Sequence, residues 1–154
     1  MVLSFGTCIY LYQVLVMQMD FYGFANGSCC HSLNLASAAW VFYSPAKDLV
    51  SLGVVCIGLA TNNITEYEAV IGLLIEAASQ DVHDLVVLMD SQLVVCHLNH
   101  VDTIRNPVLL HLFWRVRLLE RSFGTIIYRH IPREHNLVID SLGNYILYWH
   151  ISHS

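Results

Sequence analysis

Three acidic side chains, Glu66, Asp90 and Asp140, and one amide, Asn26, stand where apolar runs of this chain give way to turns or helix starts. Carboxylates gathered from separate elements are the hard oxygen ligands that a divalent ion such as Mg²⁺ takes. Two such ions about 4 Å apart can clamp both oxygens of a phosphoryl displacement. Each of the four residues also has a structural explanation. Asn26-Gly27-Ser28 is a turn signal, Glu66 can close a capping box with Asn63, Asp90-Ser91 can cap a helix, and Asp140 can complement a helix dipole. Spacing by itself leaves both readings open.

The elements that must position these residues follow from hydrophobic periodicity. β-branched and aromatic runs predict strands over 17–25, 38–43 and 49–59, the last two joined by a turn short enough for hairpin pairing. From residue 64 the period changes: Tyr67, Val70, Ile71, Leu74 and Ala78 lie along one helical face, predicting a helix over 64–79. An apolar strand over 85–89, a helix over 92–98, and a helix from Asn106-Pro107 to about residue 121 come next. A strand over 125–131, stopped by Pro132, and a helix over 136–147 complete the order. Runs of strands before strand–helix alternation imply one mixed sheet with helices packed on it, an α/β arrangement of the α+β mixed kind. In such open sheets, sites gather where strands end and helices begin, which is where the candidate residues stand.

The chain has 154 residues, enough for one domain; 56% are apolar and only 12% charged, which excludes a disordered chain. Five scattered cysteines, odd in number and without Cys-x-x-Cys spacing, read as reduced intracellular thiols, with no structural zinc site. The formal charge of −5 excludes a general basic coat, but six of the seven basic residues lie between Arg105 and Arg133. That window carries +5 and the remainder −10, which suits a protein that grips phosphate on one side and holds metal ions on the other; a solvated helix face is the plainer alternative. Residues 1–19 are apolar but lack a basic start, contain Gln13 and Gln18, and read neither as a secretory signal nor as a spanning helix. The expected organisation is an apolar extension over 1–16, one domain over 17–148 and a tail over 149–154.

Three segments together carry a family resemblance. Thr61-Asn62-Asn63-Ile64-Thr65-Glu66-Tyr67, Asp90-Ser91-Gln92-Leu93, and His130-Ile131-Pro132-Arg133-Glu134-His135-Asn136 followed by Asp140-Ser141-Leu142 resemble, in order and spacing, the motifs of type 1 ribonuclease H domains. The wording is most similar to the ribonuclease H domains of plant retrotransposons. The resemblance covers roughly residues 20–147. It implies a ribonuclease H-like fold with a five-stranded mixed sheet, two Mg²⁺ (or Mn²⁺) ions held by four acidic residues, and hydrolysis of the RNA strand of an RNA–DNA hybrid. Glu66, Asp90 and Asp140 match three of those acids, and His130 matches a histidine that assists proton transfer or product release. Asn62, Asn63 and Gln92 match positions that touch the hybrid in its minor groove, where hydroxyl contacts tell RNA from DNA. Arg115, Arg117 and Arg121 are the candidate phosphate contacts. No small-molecule cofactor and no membrane partner are expected.

One departure matters most. The family's first motif is a strand followed by Asp-Gly-Ser, and here Phe24-Ala25-Asn26-Gly27-Ser28 occupies that place. Asparagine offers one neutral oxygen where an anion bridges both ions, so weak or absent cleavage is expected. Asp20 lies six residues earlier, roughly 20 Å along an extended strand, too far to substitute. An alignment with Tyr22-Gly23 at the motif also lacks the carboxylate. Three readings follow: an endoribonuclease, active or crippled; a hybrid-binding module without turnover; or a retroelement-derived interaction protein with no nuclease role.

Overall fold

A computed structural model describes residues 20–30 and 34–136. Five strands and three helices alternate as expected: β1 (Phe21–Cys30), β2 (Leu35–Tyr43), β3 (Leu49–Gly58), α1 (Asn62–Ser79), β4 (Asp84–Met89), α2 (Gln92–Leu98), α3 (Pro107–Glu120) and β5 (Thr125–His130), then a single 3-10 turn (Arg133–Asn136). The sheet order is β3-β2-β1-β4-β5. β1, β2 and β3 form an antiparallel meander, whereas β4 and β5 run parallel to β1. The mixed five-stranded architecture expected from the order of elements is therefore present.

Burial explains the placement of the strands. β4 reads as an unbroken apolar run because both of its faces are covered: Leu85, Val87 and Met89 enter the cluster under α1, while Val86 and Leu88 join Tyr22, Phe24, Val41 and Ile131 on the other face. Helix α1 presents Tyr67, Val70, Leu73, Leu74 and Ala77 to the sheet, all fully buried. Each such side chain contributes about 1.5–3 kcal/mol relative to exposure. Trp40 of β2 lies in a slot between Gly53 of β3 and Gly72 of α1; a Cβ at Gly72 would stand 2.6 Å from its Cη2. Among the described residues no helix is long and apolar enough to cross a membrane.

Two expectations are corrected. The strand expected over 17–25, ended by a turn at Asn26-Gly27-Ser28, is instead Phe21–Cys30 and runs straight through those residues. Asn26, Gly27 and Ser28 pair with Ala39, Ala38 and Ser37 of β2, so ladder hydrogen bonds override the local turn preference. The second correction concerns the start of α1. Its N-cap is Thr61, whose Oγ1 accepts from the Ile64 amide at 3.3 Å, so Asn63 and Glu66 are not a capping box. The apolar extension over 1–16, the tail over 149–154, the part of the helix over 136–147 that follows Asn136, and Asp140 lie outside the described residues.

Candidate active site

The register of the parallel strands brings the first two residues together. β1 and β4 pair from Phe21–Leu85 to Ala25–Met89, and one step beyond that last pair come Asn26 and Asp90. Asp20 precedes the opposite end of β1, and Tyr22 pairs with Val86 within the strand, so Asn26 is the β1 residue beside Asp90. Glu66 arrives from the first turns of α1, which cross β1 very closely at Gly27. A Cβ at Gly27 would stand 2.6 Å from the Glu66 amide nitrogen and closer still to Thr65 Oγ1. Gly27 thus serves close helix–strand packing, not a turn.

Asn26, Glu66 and Asp90 line one polar cavity of about 310 Å³, together with Gly27, Ser28, Cys29, Asn62, Asn63, Ser91 and Arg133. Asn26 and Glu66 are buried, at 4% and 7% exposure. Neither helix cap requires a carboxylate: Thr61 caps α1, and Ser91 Oγ accepts from the Val94 amide at 3.3 Å to cap α2. Cys29 donates its thiol to the Ala60 carbonyl at 3.3 Å. Burial is the main cause that pushes this thiol's pKa up, against a hydrogen bond with Thr65 that lowers it, and the Glu66 carboxylate raises it further. The thiol therefore stays neutral.

The remaining sequence candidates spread around this end of the sheet. Asn62 and Asn63 reach the cavity; Gln92, exposed at the start of α2, is not among its lining residues. His130 closes β5 opposite Met89, exposed at the same sheet end. The three α3 arginines divide. Arg115 is exposed and pairs with Glu68 at 3.4 Å, and Arg121 is exposed at the helix end. Arg117 is held inside the protein: its guanidinium donates to Glu120 at 2.8 and 2.9 Å and to the Leu98 carbonyl at 2.6 Å, meets His100 Nε2 at 3.0 Å, and lies 4.5 Å from the Phe113 ring centroid. Glu120 also accepts from Tyr128 at 2.8 Å. Arg133, Ser28, Cys29 and Ser91 line the cavity without having been singled out as site residues from the sequence. The available signal for Arg133 was Pro132, which ends β5 and turns the chain into the 3-10 turn.

The donor set fits a divalent ion in kind, since Glu66, Asp90 and Asn26 all supply hard oxygen. Among the described residues an amide stands with two carboxylates in this set, and no three His, Cys, Asp or Glu side chains gather as a metal-holding group.

Comparison with known proteins bears on the same region. The family model described as "Reverse transcriptase-like" matches residues 24–146. Ribonuclease HI of Halobacterium salinarum is 36% identical over 109 residues, 71% of this chain and 55% of that protein. A bifunctional protein of Mycobacterium tuberculosis is 38% identical over 88 residues, 57% of this chain. The matched segments span about half of the archaeal relative and about a quarter of the mycobacterial one. Among solved structures, the Halobacterium salinarum ribonuclease H1 superposes with TM-score 0.79 at 32% identity, covering 82% of this chain and 96% of that one. LC11 ribonuclease H1, solved in complex with an RNA/DNA hybrid, gives TM-score 0.76 at 25% identity, covering 82% and 95%. A match over four-fifths of the chain, with the sheet order and helix placement described above, shows that this chain belongs to the reverse transcriptase-like family and has the ribonuclease H-like fold.

Proposed function

We propose that this chain is an RNA–DNA hybrid-binding domain whose two-ion hydrolysis of the RNA strand is impaired. The observation that carries the reading is a single cavity lined by Asn26, Glu66 and Asp90 in a ribonuclease H-like fold. Ribonucleases H work with divalent metal ions. In this chain Glu66, Asp90 and the Asn26 amide oxygen would hold them, joined by Asp140 on the strength of the sequence motif. Bound there, Mg²⁺ or Mn²⁺ would neutralise the charge that develops on the scissile phosphate.

The chain's own side chains account for the rest. Asn62, Asn63 and Gln92, at the starts of α1 and α2, meet the minor groove, where the 2′-hydroxyl identifies the RNA strand. Arg115 and Arg121 contact phosphates from the exposed side of α3, and Arg117 supports that helix from within. His130 stands at the exposed end of β5 to move a proton or assist product departure. The LC11 complex supports a nucleic-acid partner, and the free thiols Cys29, Cys56 and Cys96 support an intracellular setting, nuclear or cytoplasmic.

Asn26 in place of a carboxylate that would help hold the ions would remove about 3–6 kcal/mol of transition-state stabilisation, or two to four powers of ten in rate. Cleavage of a labelled hybrid in Mg²⁺ and in Mn²⁺, by the native chain and by Asn26→Asp, tests the reading. Slow or absent native cleavage with a large gain in the variant is expected; full native activity would refute it. The amide also favours a second reading, a hybrid-binding module without turnover. That reading predicts native binding with no cleavage in either metal.

A further inference from the structure

Glu66 sits on α1, and Asp90 immediately precedes Ser91, the cap of α2. The spacing of these two carboxylates therefore depends on how α1 and α2 are held together. A buried side-chain pair joins them directly. Tyr67, the residue after Glu66, shares a 2.8 Å hydrogen bond between its hydroxyl and His97 Nδ1 of α2, and the two rings stack with centroids 6.1 Å apart. Tyr67 is fully buried and His97 nearly so. Burial raises the pKa of the phenol, against a lowering influence from Arg117. Burial also lowers that of the imidazole, against a raising influence from Asp102, so both groups are neutral at pH 7. An apolar pair would fill the same space without the cost of burying two polar groups, but it would let the helices slide. A hydrogen bond fixes distance and direction. Two further ties of α2 lead to other elements: Arg117 of α3 donates to the Leu98 carbonyl, and Asn99 Nδ2 donates to the Tyr128 carbonyl of β5.

We propose that Tyr67 and His97 are positioning residues of the cavity: their hydrogen bond fixes α2 against α1 and so sets the spacing of Glu66 and Asp90 for a divalent ion. The inference rests on the ion-binding part of the function proposed above and deepens it. Neither residue lines the cavity, so each acts through the helix that carries it. His97 lies in the last turn of α2, seven residues and about 10 Å from Asp90, so a tilt of this short helix is passed to its capped start. Small divalent ions accept oxygen ligands only within a few tenths of an ångström, so a small shift between the two helices weakens binding without unfolding the chain. A pair that serves stability alone would lower the melting temperature and leave the ion affinity of the folded chain as it was.

The test follows Mn²⁺ binding without nucleic acid by electron paramagnetic resonance, at a temperature where thermal melts show every chain folded. The chains are the native protein, Tyr67→Phe, His97→Leu, the double variant of these two, and His97→Asn. Binding of a fluorescent RNA–DNA hybrid to the native chain in EDTA is measured alongside by anisotropy. Tyr67→Phe keeps the ring and its packing and loses only the hydroxyl; it should bind Mn²⁺ about three- to tenfold more weakly, and His97→Leu likewise. The double variant should be no weaker than either single one, because both remove the same bond. His97→Asn, whose amide stands where Nδ1 stood, should stay within about threefold of native. Native Mn²⁺ affinity in folded Tyr67→Phe and His97→Leu, or losses that simply add in the double variant, would overturn the inference and leave the hybrid-binding reading standing. So would a native chain that binds the hybrid and no Mn²⁺. A native chain that binds neither would overturn both.

Discussion

Two polar regions of this molecule draw on the same residue types and end in opposite states. In the clamp between α2, α3 and β5, Arg117, Glu120, Tyr128 and the Leu98 carbonyl satisfy one another, and the Arg117 and Glu120 side chains are only 18% and 22% exposed. In the cavity at the Asn26–Asp90 end of the β1–β4 pair, Glu66, Asp90 and Arg133 line one open space together with a neutral amide. The clamp is a closed set of donors and acceptors, the condition under which a partly buried ion pair is tolerated. The cavity gathers charge toward a place where a ligand can sit. An arginine in a basic stretch of sequence can belong to either region, and only its partners decide which.

The contrast can be tested by moving residues across it. The largest effect is expected from Asn26→Asp, which restores an anion to the cavity: hybrid cleavage in Mg²⁺ should rise by about two to four powers of ten, read as initial rate. A smaller but more general loss is expected from Gly27→Val, because a side chain there meets the α1 backbone, which cannot give way as a flexible side chain would. Denaturant unfolding should show a loss of about 3 kcal/mol, with hybrid affinity falling as α1 is pushed away. Next comes a pair of arginines. Arg117→Gln should lower stability by about 2 kcal/mol, since Glu120 loses its cation and the Leu98 carbonyl its donor. Arg121→Gln should leave the melt unchanged and lower only hybrid affinity and its salt slope. Equal behaviour of the two would erase the distinction between clamp and surface.

The smallest expected effect concerns pH. His97, a buried residue of α2, bonds Tyr67 at 2.8 Å, and burial holds its pKa below 6.5 in spite of a raising influence from Asp102. The fold therefore favours neutral His97, and the unfolded chain binds the proton more readily. Its contribution to stability is present above pH 6.5 and is lost as pH falls below that value, at no more than about 1.4 kcal/mol per pH unit. Melts of the native chain and His97→Asn between pH 5 and pH 8 should differ in slope only on the acid side (about one proton at most).

Much of the fold was legible because it rests on local patterns. The change of period at residue 64, the Asn106-Pro107 helix start and the unbroken apolar run of β4 each report their own burial, and the structure agrees with each. The cap at Asn106, whose Oδ1 accepts from Val108 and Leu109 at 2.9 and 3.2 Å, was readable from two residues. Asn26-Gly27 misled for the same reason. As a dipeptide it favours a turn, but here it pairs with Ala39 and Ala38, and its glycine admits a helix. The partners of Arg117, namely Leu98, His100 and Glu120, were not legible in the sequence because they come from two separate segments.

By itself, the sequence determined the order of elements and the amide at position 26, since periodicity and residue identity need no third dimension. Tertiary structure decided which side chains share a cavity. Strand register set Asn26 beside Asp90, the close crossing at Gly27 delivered Glu66, and the turn after β5 supplied Arg133. These are contacts between residues far apart in the chain, and their geometry is fixed by sheet pairing and packing rather than by any neighbour in sequence.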